Sequence, residues 1–225
     1  YVPSQRREIN VRLIDFDTPS NNVFHVTEEW YYTNGRYANR ADVVFLINGI
    51  PVIIGENKKP EEKDAIAIAI DQLRRYHRET PELLTTSQVF DATHVVEFYY
   101  GVTWNLSRKA LFRWKDNEKT NFEKKVKEFF NHERLLSVLH DYIVFFKRED
   151  ELEKIILRQH QTRAVEKVVQ RSREREKKTG LIWHTQGSGK TFTMIVAAER
   201  LIKLPEFEKP TVIMLVDRNE LEGQL

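Results

Sequence analysis

The stretch that decides the fold is residues 40–59, which read Arg40-Ala41-Asp42-Val43-Val44-Phe45-Leu46-Ile47-Asn48-Gly49-Ile50-Pro51-Val52-Ile53-Ile54-Gly55-Glu56-Asn57-Lys58-Lys59. Two apolar, β-branched runs flank an Asn-Gly dipeptide, which is a strong short-range signal for a β-hairpin. Charged residues occur where the apolar runs stop, Asp42 before the first run and Glu56 and Lys58 at the end of the second. Because side chains alternate along a strand, Glu56 and Lys58 are expected to point to the same face.

The length of the turn decides which residue faces Asp42. A tight two-residue turn sets Asp42 opposite Gly55, so that it looks away from Glu56. One more residue in the connection pairs Ile47 with Pro51 and sets Asp42 opposite Glu56. Pro51 has no N–H to give to a ladder, which favours the longer connection.

In that second register the carboxylates of Asp42 and Glu56 face each other, with Cβ atoms about 5 Å apart. At an effective dielectric near 20, two such charges repel by roughly 3 kcal/mol, and we expect a cation between them to offset this cost. Carboxylate oxygens suit Mg²⁺, which completes its shell with water and substrate phosphate. Lys58, one pleat further on, is placed to hold an attacking water or to stabilise charge on phosphorus. The residues thus predict metal-assisted phosphodiester hydrolysis; the alternative is an ordinary hairpin with charged ends.

A helix is predicted over residues 61–78, where an acidic start is followed by an Ala-Ile repeat and a basic end. Gln72 and Tyr76 are four residues apart and therefore share one face of this helix. On its own, Gln-x-x-x-Tyr also fits a half-buried tyrosine beside a polar neighbour, so the pair gains meaning only from its position after the hairpin.

The order of these motifs resembles the RecB-like branch of the PD-(D/E)xK nuclease superfamily. The residues that carry the resemblance are Asp42, Glu56, Lys58, Gln72 and Tyr76. It implies a mixed sheet flanked by helices, a catalytic role for all five residues, and metal ligation by the two carboxylates. Two departures are that Ala41 replaces the usual proline and that no further acidic or histidine ligand is evident upstream.

A phosphate-binding loop is predicted at Thr185-Gln186-Gly187-Ser188-Gly189-Lys190-Thr191. Residues 180–184 before it are expected to form a short buried strand, and a helix is expected to follow through Leu204. Glycines let the backbone N–H groups around Gly187, Ser188 and Gly189 close on phosphates, and Lys190 reaches the β/γ oxygens. The Thr191 hydroxyl is expected to ligate Mg²⁺. The glycine usual six places before the lysine is replaced by His184.

Three segments resemble motifs Q, I and Ia of superfamily 2 helicases. They are Arg158-x-x-Gln161, the phosphate loop, and a predicted strand at residues 211–216 that is followed by Asp-Arg. By that resemblance Gln161 reads the adenine of ATP, while Lys190 and Thr191 hold the phosphates and the metal ion. No Asp-Glu-x-x box follows within the 225 residues. We therefore expect the ATPase to be incomplete in this chain.

A RecB-like nuclease followed directly by a superfamily 2 motor resembles the restriction (R, motor) subunit of type I restriction-modification enzymes. The matching stretches are residues 48–51, 72–76, 184–191 and 216–218. The resemblance implies an α/β chain with an endonuclease domain at 1–120, a helical linker at 121–150 and the start of a RecA-like parallel α/β motor at 151–225. It also implies Mg²⁺ and ATP as cofactors, ATP-driven translocation along double-stranded DNA, and partnership with methyltransferase and specificity subunits.

Two other functions fit parts of the pattern. One is a DNA repair helicase whose nuclease-like domain is degenerate, against which the intact Asp42, Glu56 and Lys58 argue. The other is a non-catalytic docking module for the methyltransferase subunits, which predicts that no divalent cation binds to the first domain.

Composition sets broad limits. Hydrophobic residues make up 40% and aromatic residues 11% of the chain, as in globular proteins. No cysteine is present, which excludes disulfides and thiolate metal sites, and no apolar run approaches the length of a membrane span. We expect a cytoplasmic protein without membrane contact whose N-terminus has been cut.

The remaining elements follow from periodicity. Strands are predicted over residues 9–16, 24–32, 93–100 and 110–114, and one or two helices over 121–146. Residues 158–178 hold eight Lys or Arg and three Glu. That excess of positive charge fits either a solvent-exposed helix with charge pairs or a nucleic-acid footprint.

Overall fold

The computed structural model describes residues 11–95, 97–115, 121–148, 150–174, 176 and 179–215. The chain separates into two compact units, one up to Ser137 and one from Val138. The linker expected over residues 121–150 is thereby divided between the units. The motif at residues 216–218 and part of the basic run, namely 175, 177 and 178, lie outside the described residues.

The first unit is built on one mixed sheet, as the resemblance to the nuclease superfamily implies. Its strands are β1 (Phe24–Thr33), β2 (Ala38–Ile47), β3 (Ile50–Lys58), β4 (Val89–His94), β5 (Glu97–Val102) and β6 (Phe112–Arg113). Its helix α1 comprises Ala65–Glu79, α2 comprises Phe122–Phe129, and α3 (His132–Asp141) runs across the division between the units. The strands lie in the order of the sequence, and only β3 and β4 are parallel, with α1 as their crossover.

The central hairpin turns at Asn48-Gly49, where both residues have positive φ, 53° and 82°. This is a tight two-residue turn that pairs Ile47 with Ile50, so the longer connection favoured above is wrong. A β-bulge follows at once: Leu46 pairs with Pro51, whereas Phe45 pairs with Ile53. The bulge adds the residue that the turn lacks, so the expected register further along the hairpin is nevertheless reached.

Two apolar layers enclose the sheet. On one face, the small and branched side chains of α1 pack against β2, β3 and β4; this cluster includes Ile66, Ala69, Leu73, Val44, Ile54 and Phe90. On the other face Phe130, just after α2, stacks on Phe45 with ring centroids 3.9 Å apart, and Phe129 packs edge-on against Trp114. The ends of β2 and β3 are thus held from both sides, which fixes the position of the charged residues there.

Three predictions for the first unit need correction. Residues 11–16 form no strand, so the strand expected over 9–16 is wrong in its described part. Residues 93–100 are not one strand, because a turn at Val95, with φ of 56°, separates β4 from β5. The 121–146 segment does hold two helices, but its end from Ile143 belongs to a strand.

The second unit contains β7 (Ile143–Arg148), β8 (Glu151–Ile156), α4 (Gln159–Arg173) and α5 (Lys190–Lys203). The two strands form an antiparallel hairpin that the sequence did not predict. The helix expected after the phosphate loop is confirmed as α5, and α4 begins directly after Arg158. No helix within the described part of the chain combines the length and the apolar character needed to cross a membrane.

The two parallel strands expected around the phosphate loop are not formed. Residues 180–184 and 211–215 have no strand pairing, and Leu181, Trp183 and Leu215 are more than four-fifths exposed. A parallel strand gains its stability from strands beside it and helices on both faces. Among the described residues neither segment has such neighbours.

Candidate metal centre and phosphate-binding loop

The five residues predicted for the nuclease site converge at the end of the central hairpin. Asp42 lies on β2, Glu56 and Lys58 on β3, and Gln72 and Tyr76 on α1. Val43 pairs with Gly55, and continuing this register by one residue sets Asp42 opposite Glu56. The sheet and its crossover helix therefore bring together side chains that lie up to 34 positions apart in the sequence.

Glu56 is fully buried and held at both oxygens. Its Oε2 accepts a hydrogen bond from Lys58 Nζ at 2.8 Å, and its Oε1 accepts one from the Tyr76 hydroxyl at 2.5 Å. The same hydroxyl lies 2.9 Å from the carbonyl of Arg40. Tyr76 thus fixes the orientation of the carboxylate from the helix side.

Lys58 occupies the space between the two carboxylates. Its Nζ lies 2.8 Å from Glu56 Oε2 and 3.8 Å from Asp42 Oδ2, and it also donates to Gln72 Oε1. We expected the carboxylates to require a metal ion between them. The lysine ammonium itself supplies positive charge to the pair, beside the charge that a bound metal ion would add.

Burial raises the pKa of Glu56 above its ordinary value, and the hydrogen bonds from Lys58 and Tyr76 partly counter this rise. The charge of Asp42 contributes least to the shift. The main cause of the raised pKa of Glu56 is therefore desolvation rather than repulsion between the two carboxylates. Burial, and then the charge of Glu56, also raise the pKa of Tyr76.

The donor set fits a small divalent cation. Asp42 Oδ2 accepts the backbone N–H of Asn57 at 2.8 Å, which aims the carboxylate across the hairpin, and a third of the Asp42 side chain remains exposed. Mg²⁺ takes one or two protein carboxylates and otherwise keeps water, so Asp42 and Glu56 suffice. Among the described residues no cluster of three or more Asp, Glu, His or Cys forms a fuller cage.

Asp91 is an acidic residue near the site that was not among the residues predicted from the sequence. Asp91 on β4 pairs with Gly55, is 4% exposed, and its Oδ2 has no hydrogen-bond partner among the described residues. Burial, followed by the charge of Glu56, raises its pKa well above the ordinary value. The only sequence signal was a single acid inside the apolar run Val89-Phe90-Asp91-Ala92.

The phosphate loop lies at the start of α5 in the second unit. Gly187 and Gly189 have positive φ, 73° and 78°, and α5 begins at Lys190 with Thr191 in its first turn. Lys190 Nζ donates to the carbonyls of His184 and Thr185 at 3.2 and 3.1 Å. Ser188 is buried, and its Oγ has no partner among the described residues. An orphaned hydroxyl beside a helix N-terminus suits an anionic ligand such as a nucleotide phosphate.

Gln161, the residue expected to read adenine, lies beside the phosphate loop. Its Oε1 accepts the N–H of Arg158 at 2.7 Å, and its Nε2 donates to the carbonyl of Gly189 at 2.8 Å. Both ends of the amide are thus engaged with main-chain groups. His160, which sequence reasoning did not single out, also contacts the loop: its Nε2 lies 3.2 Å from the carbonyl of Ser188.

Comparison with known proteins agrees with this layout. Residues 1–108 match the family described as the type I restriction enzyme R protein N terminus, and residues 160–225 match the SWI2/SNF2 ATPase family. Over 95% of its length, the chain is 34% identical to the MjaVIIIP endonuclease subunit of a type I restriction enzyme from Methanocaldococcus jannaschii, and spans 22% of that subunit. It is 29% identical to the HindI endonuclease subunit from Haemophilus influenzae over 96% of the chain and 22% of the relative. The chain thus corresponds to less than a quarter of these relatives, and it belongs to the family of type I restriction enzyme R (endonuclease) subunits.

Proposed function

We propose that the chain carries the cleavage centre of a type I site-specific deoxyribonuclease, in which Asp42, Glu56 and Lys58 act in Mg²⁺-dependent hydrolysis of double-stranded DNA. The observation that supports this most directly is the convergence of two carboxylates and one lysine, with Lys58 Nζ 2.8 Å from Glu56 and 3.8 Å from Asp42. The family match supports the same assignment.

Each protein group has a distinct task in this scheme. Asp42 and Glu56 would hold the metal ion, which when bound activates a water and offsets charge on the phosphate. The Lys58 ammonium has three N–H donors, of which Glu56 and Gln72 take two; the third is left for a water or a phosphate oxygen. Tyr76 keeps Glu56 oriented, and the apolar layer under α1 keeps bulk water from its carboxylate.

We further propose that the second unit binds ATP and belongs to a motor that moves the enzyme along DNA. Lys190, Thr191 and the unpartnered Ser188 hydroxyl would hold the phosphates and their Mg²⁺. The SWI2/SNF2 match supports this role. By family membership, methyltransferase and specificity subunits are the proposed partners, and co-purification with them would test the assembly.

The decisive experiment separates cutting from nucleotide turnover. Lys58→Ala or Asp42→Ala in the full-length subunit is expected to lower DNA cleavage by at least about a hundredfold, since one lost catalytic donor costs this much. DNA-dependent ATP hydrolysis should continue, because neither residue belongs to the phosphate loop. Lys59→Ala, a change of the exposed neighbour, is the matched control. Cleavage by Lys58→Ala at a rate near that of the control would refute the nuclease assignment.

Binding of a divalent cation distinguishes the docking alternative. Calorimetry with Mn²⁺ or Mg²⁺ should show binding that Asp42→Asn weakens. A first unit that binds no cation at all would favour a non-catalytic docking module.

A further inference from the structure

His94, the last residue of β4, lies beside Lys58. In the parallel pairing of β3 with β4, Glu56 is opposite Ala92 and Lys58 is opposite His94. Ala92 belongs to the apolar cluster that packs under α1. Because residues two apart on a strand share a face, His94 lies on the α1 side of the sheet, together with Glu56 and Lys58. The register thus adds an imidazole to the surroundings of the cleavage centre.

The Nε2 atom of His94 is buried, and it has no hydrogen-bond partner within the part of the chain that the structure describes. Leaving a buried polar atom without a partner costs stability, so such an atom calls for an explanation. A neutral imidazole carries its proton on one ring nitrogen and accepts a hydrogen bond at the other. His94 can therefore offer a sheltered acceptor directly next to Lys58.

The ammonium of Lys58 has neighbours on two sides, because β3 lies between β2 and β4 in the sheet. Its Nζ is on the β2 side, 2.8 Å from Glu56 Oε2 and 3.8 Å from Asp42 Oδ2. A divalent cation held by these two carboxylates would repel the ammonium at close range. The nearest groups away from the cation are then Gln72 on α1, which already accepts a hydrogen bond from Lys58, and His94 on β4.

We propose that His94 is a positioning residue, whose Nε2 accepts the Lys58 ammonium when a divalent cation binds to Asp42 and Glu56. This inference rests on the metal site of the proposed function. Because an ammonium can only donate, the ring proton of His94 is then on Nδ1. His94 and Gln72 together hold two of the three N–H groups of Lys58, and the third stays directed at a water or a phosphate oxygen. The lysine thus gives up the metal position without leaving the site.

A double-mutant cycle on cation affinity tests this role. The dissociation constant of Mg²⁺ is measured by calorimetry for the 225-residue chain in the absence of nucleotide. His94→Leu should weaken binding about tenfold, because the displaced ammonium loses one hydrogen bond. In Lys58→Met, which has no ammonium to displace, adding His94→Leu should leave the affinity unchanged. His25→Leu, which changes an exposed histidine on β1, is the control.

The ring nitrogens of His94 give a second measurement that needs no change at this residue. In ¹⁵N spectra of the wild type, addition of Mg²⁺ should shift the Nε2 signal of His94, because this atom begins to accept a hydrogen bond from a charged donor. The shift should be much smaller in Lys58→Met. This comparison decides the question if His94→Leu does not fold, as judged by circular dichroism.

The outcomes separate a positioning role from a structural one. Equal weakening by His94→Leu in the wild type and in Lys58→Met would overturn the proposal, because the effect would then not pass through the ammonium. Mg²⁺ affinity unchanged by His94→Leu, or an equal ¹⁵N shift with and without Lys58, would overturn it as well. A wild-type chain that binds no Mg²⁺ would refute the metal site of the proposed function, and this inference with it.

Discussion

Replacing Lys58 by methionine should make the cleavage centre bind a divalent cation more tightly, although the same change should abolish cutting. The Lys58 ammonium sits 2.8 Å from Glu56 Oε2 and 3.8 Å from Asp42 Oδ2, which is the space that a metal ion has to enter. Only 9% of the lysine side chain is exposed, so water screens its charge poorly. Methionine has a similar length and no charge.

The magnitude follows from Coulomb's law. A dication about 5 Å from an ammonium is repelled by roughly 6 to 7 kcal/mol at an effective dielectric near 20. When the ion binds to the wild type, we expect Lys58 to move towards Gln72, which already accepts a hydrogen bond from it, and this movement should relieve most of the repulsion. If about a fifth of the repulsion persists, the variant gains roughly 1.4 kcal/mol, or a factor of about ten in affinity.

A second effect opposes the first and sets the conditions of the assay. The hydrogen bond from Lys58 lowers the pKa of Glu56, so its loss in Lys58→Met lets that pKa rise further. Protons then compete with the metal ion, and the gain in affinity should be largest at alkaline pH. Titration calorimetry with Mg²⁺ or Mn²⁺ at pH 8, repeated in buffers of different ionisation enthalpy, measures both the affinity and the protons released.

Lys59→Met is the control, because this exposed neighbour changes the net charge equally. Tighter binding in Lys58→Met than in Lys59→Met, with greater proton release, supports the reasoning. If Lys58→Met binds the cation no more tightly than Lys59→Met, the lysine does not occupy the metal position and the argument from these distances is wrong.

Three further predictions follow from the contacts described. Lys190→Ala in the full-length subunit should abolish both ATP hydrolysis and DNA cleavage, whereas Lys58→Ala, assayed beside it, should lose only cleavage. Cleavage retained in Lys190→Ala would show that cutting does not depend on ATP hydrolysis. Tyr76→Phe should lower the free energy of unfolding by about 1–3 kcal/mol, because the buried Glu56 Oε1 loses the hydroxyl proton that it accepts. Urea unfolding measures the loss against the half-exposed Tyr37→Phe, and an equal loss in both variants would contradict the prediction. Asp91→Asn should stabilise the protein increasingly as pH rises. Because the pKa of Asp91 is raised, the folded state keeps this proton to higher pH than the unfolded chain, so wild-type stability falls between the unfolded pKa near 3.8 and the folded pKa. Urea unfolding at pH 5 and pH 8 should show the larger gain in stability at pH 8, and an equal or smaller gain there would refute the prediction.

The cluster of Asp42, Glu56 and Lys58 could be predicted from the sequence because its cues are local. Asn-Gly marked the turn, and alternation placed Glu56 and Lys58 on one face. The predicted register of β2 and β3 beyond the turn is confirmed, but the turn that was expected to produce it is not formed. Pro51 signalled an irregularity in the ladder, but the extra residue enters as a bulge just past Pro51 rather than as a longer turn. A missing N–H shows that the pairing must adjust nearby, and packing on both sides of the strand decides where.

The contacts of the α1 residues Gln72 and Tyr76 were harder to predict from the sequence. A spacing of four placed Gln72 and Tyr76 on one face of α1, yet it could not show that Gln72 contacts Lys58 while Tyr76 contacts Glu56. Those partners depend on how a crossover helix lies over the sheet. Likewise, the apolar runs at 180–184 and 211–215 have the composition of buried strands. Composition predicts that a segment can pair, but whether it does depends on neighbours that local sequence does not specify.

The energetics of Glu56 favour a functional origin for the whole cluster. Replacing a buried ion pair by apolar residues of similar volume is often neutral or stabilising, so the pair with Lys58 is weak evidence for a structural role. Here a fully buried carboxylate with a raised pKa lies beside the apolar layer of α1, next to a second carboxylate and close to the buried Asp91. Valine and isoleucine, which fill the rest of β3, would avoid the desolvation cost. The hydrogen bonds from Lys58 and Tyr76 reduce that cost without removing it, since the pKa of Glu56 stays high. A buried charge that lowers the stability of the sheet is expected where a reaction needs it. Metal-assisted phosphodiester hydrolysis needs a carboxylate to bind the metal ion, and Glu56 fits this need.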